Sequence, residues 1–247
     1  MAAVVFSFAR GGFMSLRIWE TDPEAKPSPR TRFAEDVVGY IHGGMMTKTK
    51  PLSLSLWRFT SDDPDVAARI AELFGGEVEE WDTDKANKLQ VLSESASIDL
   101  ILESPEELRS RMVLWGRKGV IHACDGVYFV DGEDRGNPCG CPPEFAVRKA
   151  NAEKGTGPQP EITVKARLAE DEGLGFFLYR TSSWTLTKEL HAVENAVAEA
   201  AESGARVRMT LRLEHVQFTT KKGQDVDYYR PALTDITAEA SPTDAAA

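Results

Sequence analysis

No stretch of this 247-residue chain approaches the roughly 18–20 consecutive apolar residues that a membrane helix needs, so a spanning segment is not expected. Cysteine is scarce: there are three, all within one short stretch. That odd count and its clustering fit a reducing cytoplasm better than a disulfide scaffold. Positive charge is also in short supply, with 29 Lys and Arg against 39 Asp and Glu and a net charge of −10. Proteins that hold duplex DNA do so largely by neutralising phosphates with Lys and Arg. Little or no autonomous DNA binding is therefore expected, and a basic partner is favoured. Local basic patches are few and small, among them Lys48 with Lys50, and Lys221-Lys222 beside Gly223, both at expected hairpin tips. Glycine-rich phosphate loops, a G-x-S-x-G elbow, an H-E-x-x-H helix and an aromatic-lined basic groove for single strands are all missing.

What the chain does have is a cluster. His122 and Cys124 form His-x-Cys, fourteen residues follow, and Cys139 and Cys141 form Cys-x-Cys. Three thiols and an imidazole are the ligand set of a closed tetrahedral zinc site. The linker Asp125-Gly126-Val127-Tyr128-Phe129-Val130-Asp131-Gly132 places two turn signals around a short apolar run, which lets both ligand pairs fold back onto one ion. The plain alternative is three unrelated buried thiols. A catalytic zinc keeps one position open for water, with a base close by. The nearest enzymatic pattern is the zinc deaminase signature, H-x-E followed by P-C-x-x-C. Pro138-Cys139 matches its second half, but Cys124 stands where the glutamate should be, and one residue rather than two separates the last cysteines. The site reads as structural Zn2+, with no catalytic residue and no further cofactor.

Along the chain, residues 1–36 read as an N-terminal extension that includes a proline-rich arm over 20–35. Ala2–Arg10 is apolar but short and lacks a basic n-region, so it is not read as a signal peptide, and Met14 offers a second candidate start. A first α+β half is expected over 37–114. Its strands are Val37–Ile41 and Pro51–Phe59, followed by a helix that Asp63-Pro64 opens and Gly75-Gly76 closes. Further strands are expected at 77–81, 88–93 and 97–102, then a helix opened by Ser104-Pro105 and running to Leu114. The zinc module follows over 115–150, with a short helix from Pro142-Pro143-Glu144 to Lys149. Asn151–Pro160 reads as a flexible link. The second half, 151–237, repeats the β-β-α-β order: strands Ile162–Leu168 and Gly175–Arg180, a helix over Thr187–Ser203 and a strand over Arg206–Val216. Residues 238–247 read as a disordered tail. The fold class is thus α+β, two β-β-α-β-like halves of mixed or antiparallel sheet flanking a small zinc module.

The ordered set Trp57-Arg58-Phe59-Thr60-Ser61, Leu73-Phe74-Gly75-Gly76, Cys124-Asp125-Gly126, Cys139-Gly140-Cys141, Leu174-Gly175-Phe176-Phe177 and Ser182-Ser183-Trp184 resembles recombination directionality factors of actinophages that integrate through large serine integrases. The resemblance runs from about Ser15 to Val216. It implies a regulator rather than an enzyme. Such a factor binds the C-terminal coiled-coil and zinc-bearing region of DNA-bound integrase, promotes attL × attR excision and inhibits attP × attB integration. It also implies action in the cytoplasm of the bacterial host. Relatives can carry a further cysteine at the position of Gly155–Gly157; this chain has none, which leaves His122 as fourth ligand and Asp125 as the alternative donor. A zinc-dependent hydrolase or nucleic-acid-modifying enzyme of early phage metabolism is the competing reading, and it rests on the metal alone.

Other residues carry less. His42 and His215 read as ordinary surface or cushion histidines, and His191 near Glu189 and Glu194 lacks a nucleophile. Asp62-Asp63 and Asp82 with Asp84 read as caps and turns. Trp57 and Trp184 belong to the core. Trp19 and Trp81, in polar surroundings, are the candidate partner contacts.

Overall fold

Strict alternation in Leu52-Ser53-Leu54-Ser55-Leu56 makes a strand, and that strand turns back on its predecessor. β1 (Val37–Met46) and β2 (Pro51–Ser61) pair antiparallel. The computed structural model describes residues 36–47, 50–81, 83, 86–220 and 223–241. The arm over 20–35, Trp19, Lys48, Asp82, Asp84, Lys221 and Lys222 lie outside the described residues. The described fold belongs to the unit that begins at Asp36.

After β2, the Asp63 carboxylate accepts the amides of Asp65 and Val66, and Pro64 starts α1 (Pro64–Phe74). These groups satisfy orphan donors at the helix start and preset its first φ. Gly75 and Gly76, at φ +74° and +89°, end it. At Gly76 a Cβ would lie 2.2 Å from the Leu92 carbonyl oxygen, so only glycine lets the chain turn there. Then come β3 (Val78–Glu80), β4 (Leu89–Leu92), β5 (Ser97–Leu102), a 3-10 turn (Pro105–Glu107), β6 (Leu108–Gly116), β7 (Gly119–Cys124), α2 (Phe145–Glu153), β8 (Gln159–Leu168), β9 (Asp171–Thr181), α3 (Trp184–Glu202), β10 (Arg206–Thr219) and β11 (Asp225–Glu239). The class is α+β, dominated by sheet.

Among the described residues eleven strands join one sheet, nine of them in the order β11-β10-β5-β8-β9-β1-β2-β4-β3, with β6 and β7 off that path. β8 is where it forks. One edge pairs with β9, while the other pairs first with β6 over Gln159–Val164 and then with β5 at Arg167 and Leu168. The β6–β7 hairpin branches off from that fork. Every pairing is antiparallel except β1 with β9, which run parallel.

Both long helices lie on one face. Val66, Ala67, Ile70 and Phe74 of α1 and Leu190, Val193, Val197 and Ala200 of α3 share a core with alternate residues of the strands, among them Phe59, Val164, Phe177 and Met209. Each of these side chains larger than alanine contributes about 1.5–3 kcal/mol by leaving water. The opposite face is laced with charge: Arg208 pairs with Asp99 at 2.7 Å, and Arg167 lies 4.1 Å over the Phe176 ring.

Four expectations change. Residues 104–114 form no helix. Ser104 and Glu107 do make the capping box that signals one. Only one 3-10 turn follows, because β6 supplies backbone partners to both β7 and the first half of β8. The link expected over 151–160 shrinks to 154–158, since α2 runs to Glu153 and β8 starts at Gln159. Ala238 and Glu239 are not tail residues: they pair with Val207 and Arg206 at the end of β11, a strand the sequence reading missed. In the two predicted copies a hairpin leads into a helix. After it they differ, because β4 pairs with β2 whereas β10 pairs with β5 instead of β9.

His42 sits in β1 opposite Arg58, with Nε2 2.9 Å from Thr60 Oγ1. Burial, helped by the Arg58 charge, lowers its pKa to about 4. The ring is therefore neutral when folded, while an unfolded histidine takes a proton near pH 6.5. Stability is complete above that pH and falls as pH drops toward 4. His42→Gln is expected to remove about 2 kcal/mol of this loss, a figure discounted because the ring keeps some access to water. Denaturant melts of both proteins at pH 7 and 4.5 measure it; equal pH dependence in the two would reject it.

Candidate metal centre

The register of the β6–β7 hairpin builds half of the cluster. Met112 faces Cys124 and Leu114 faces His122, so the His-x-Cys pair projects from one side of β7. Asp125 then makes the turn. Its Oδ1 accepts the amides of Val127 and Tyr128 at 2.7 Å each, and Gly126 adopts φ +104°. The chain runs back along β7, with Phe129 bridged to Cys124 and the Val130 amide on the Ala123 carbonyl. A second turn over 131–136 reverses it again, and the Cys139 amide donates to the Val127 carbonyl at 2.8 Å. Gly140, at φ +69°, bends the knuckle that turns Cys141 toward its partners.

The result brings together His122, Cys124, Cys139 and Cys141, whose ligand atoms all lie within 4.8 Å of one another. Cys124 Sγ is 3.9 Å from Cys141 Sγ, which is 3.4 Å from His122 Nε2. A tetrahedral zinc with Zn–S near 2.3 Å has S···S edges of about 3.8 Å and S···N edges of about 3.6 Å. The donor set fits such an ion. Asp125, the alternative donor, stays outside the group and is spent on its turn.

Electrostatics point the same way. Burial pushes the Cys124 thiol up to about 12, with Cys141 and Cys139 adding to the shift, and burial raises Cys141 as well. Burial also works upward on Cys139. There the Cys141 amide, the neighbouring thiols and the Arg148 guanidinium prevail and hold the thiol below its ordinary value. His122 is lowered by burial, which favours the neutral imidazole a metal needs. Three thiolates this close repel one another, and a divalent cation supplies the charge that would let them ionise together.

Two supporting features escaped the sequence reading. Arg148 of α2 donates from Nε to the Pro142 carbonyl at 2.5 Å and from Nη2 to the Gly126 carbonyl at 2.7 Å, tying both ligand-bearing loops together. No spacing rule in the sequence signals it. Met112, Phe129 and Trp184 pack the apolar side of the cluster. On the other side a cavity of about 210 Å³ is lined by His122, Cys139, Cys141, Arg148, Thr156 and Gly157, among others. Thr156 and Gly157, in the segment where the resemblance implies a further cysteine, thus border the cluster.

The remaining sequence candidates lie elsewhere. Trp81 donates its indole N–H to the Asn87 carbonyl at 2.6 Å and lies under the Arg58 guanidinium. His215 bonds Asp227 at 2.8 Å, and Glu194, next to His191 in the sequence reading, accepts from Ser110 instead. Among the described residues no helix is long and apolar enough to cross a membrane. No solved structure matches the chain. The family model described as Gp3-like, recombination directionality factor-like matches residues 38–236, a span from β1 almost to the end of β11 that includes all four clustered donors. The chain belongs to that Gp3-like family of recombination directionality factor-like proteins.

Proposed function

We propose that this protein binds a phage-encoded large serine integrase and, by protein–protein contact, turns it from integration to excision. The family match over residues 38–236 carries this reading. The net charge of −10 supports it, since an acidic chain suits the basic surface of a DNA-binding partner and not the duplex itself. The factor acts in the host cytoplasm as a regulator with no catalytic residue of its own; the integrase cuts and rejoins. His122, Cys124, Cys139 and Cys141 hold one structural Zn2+ between the two α+β halves, and with four protein donors the ion supplies folding free energy and no chemistry.

A partner shifts an equilibrium only by its difference in affinity for the two states. Moving a recombinase from about 1:99 to 99:1 requires about 10⁴-fold tighter binding to the excision-competent state. The test is a recombination assay with the integrase and paired attachment sites. Added protein is expected to start attL × attR recombination and suppress attP × attB. It should also supershift integrase-bound attachment-site DNA while leaving bare DNA unshifted. Excision unchanged by its addition would reject the reading.

A further inference from the structure

The tip of the β6–β7 hairpin combines exposed apolar side chains with positive charge in an acidic chain. Trp115 and Val120 face each other across the hairpin and are 55% and 40% exposed. Ile121 is the extra residue at a bulge between the pairs Leu114–His122 and Trp115–Val120, and it is 69% exposed. The bulge is built into the sequence. Ile121 lies across Gly116, where a Cβ would sit 2.6 Å from Ile121 Cδ1, so a larger residue at 116 would displace it. Between these apolar residues the two-residue loop presents Arg117 and Lys118. Both are exposed, and neither has an ion-pair partner among the described residues. Most other arginines on the sheet are neutralised by neighbouring carboxylates, as in Arg111–Glu161, Arg206–Glu172 and Arg230–Glu214.

We infer that this tip is the surface that docks on the recombinase, and that its counterpart there is an apolar patch rimmed by carboxylates. The inference rests on the integrase-binding reading above and adds the contact surface. Charge complementarity selects the partner: two free cations beside a tryptophan and an isoleucine match acidic groups around an apolar pocket. Duplex DNA fits poorly. Proteins held by the duplex neutralise many phosphates with Lys and Arg, whereas this tip offers two cations and would press three apolar side chains against charged oxygens. The long-range field of the chain and this local patch act at different distances. Net acidity steers the whole factor toward a basic DNA-binding protein, and the tip then selects one site on it. The placement also gives the metal cluster a role in recognition. Ile121 immediately precedes His122 on β7, so the donors at the base of the ribbon fix how its tip is presented.

The test measures binding of the full-length protein to the purified large serine integrase encoded by the same phage. The variants are Trp115→Ala with Ile121→Ser, Arg117→Glu with Lys118→Glu, and Phe218→Ser on the exposed far end of β10 as a control. All alter exposed side chains, so metal content and melting temperature should match wild type. The apolar double variant is expected to weaken binding at least about thirtyfold, the scale of an interface hot spot. Charge reversal should weaken it about tenfold at low salt and less at high salt. Phe218→Ser should leave it unchanged. Wild-type affinity in both tip variants overturns the assignment of the surface alone. Failure of the wild type itself to bind overturns the integrase reading, and the tip assignment with it. A shift of bare duplex DNA by the wild type that charge reversal abolishes would make the tip a phosphate contact and overturn it too.

Discussion

Replacing Cys139 by serine is expected to release the metal and lower the melting temperature by about 10 °C, corresponding to a loss of a few kcal/mol in a domain of this size. Structural zinc is worth about 10–16 kcal/mol in peptides that do not fold without it. The smaller figure applies here because the large core shared by α1, α3 and the sheet is independent of the cluster. Damage should concentrate where a bound metal would substitute for a core. Between Cys124 and Cys139 the chain makes two turns, and Val127 and Tyr128 stay exposed, so little apolar burial holds the loop. Amide exchange at Val127, Phe129 and Cys139, whose N–H groups are internally bonded, should accelerate far more than exchange in α3. A strong chelator should act on the wild type as the substitution does, and have no further effect on the variant. Wild-type melting with a full complement of zinc in the variant would sink the claim that Cys139 is a ligand. His122→Ala with Asp125 intact gives the finer comparison: loss of metal there assigns the fourth donor to the imidazole.

Trp57→Ala should cost about 3–5 kcal/mol, the range for truncating a fully buried aromatic. Trp57 is 0% exposed, stands edge-on to Tyr179 at 5.5 Å between ring centres, and donates its indole N–H to the Ala96 carbonyl at 3.0 Å. Truncation leaves both a cavity and an unpaired buried acceptor. The ring also packs under Gly43, beside Leu213 of β10, so it couples β1 and β2 to the far side of the sheet. Trp57→Phe keeps most of the volume and should lose about half as much, mainly through the abandoned carbonyl. Urea melts with a lowered midpoint and an unchanged slope would confirm a native-state effect. A midpoint shift smaller than that of a surface substitution would remove Trp57 from the core.

Elements with strong local chemistry were legible in the sequence. Asp63-Pro64 and Gly75-Gly76 mark both ends of α1, and the apolar spacing of α3 picks out Leu190, Val193 and Val197. The cysteine spacing and its two turn signals point to the four donors that the fold brings together. Three things were hidden. A true capping box, Ser104 with Glu107, immediately precedes β6, and only the long-range pairing of β6 with β7 and β8 overrides that local signal. β11 has weak alternation, interrupted by Pro231 and by Asp235 at φ +52°, and it is a strand because β10 pairs with it over almost its whole length. Arg148 bonds carbonyls 22 and six residues away in sequence, a relation no periodicity encodes. The exposure of Trp115 was equally invisible, since composition does not distinguish a tryptophan at a hairpin tip from one in a core.

The parallel pair of β1 and β9 sets the order in which the molecule can be assembled. Tyr40 takes its place beside Leu178, more than about a hundred residues further along the chain. At about 5–20 residues per second, synthesis leaves β1 waiting on the order of ten seconds for that neighbour. During this interval the β1–β2 hairpin and α1 have emerged, with one edge of β1 bare. The cysteine-bearing loop also leaves the ribosome before β9 does. The four donor side chains can therefore come together on a half-made sheet, ahead of the strand that pairs with both β1 and β8.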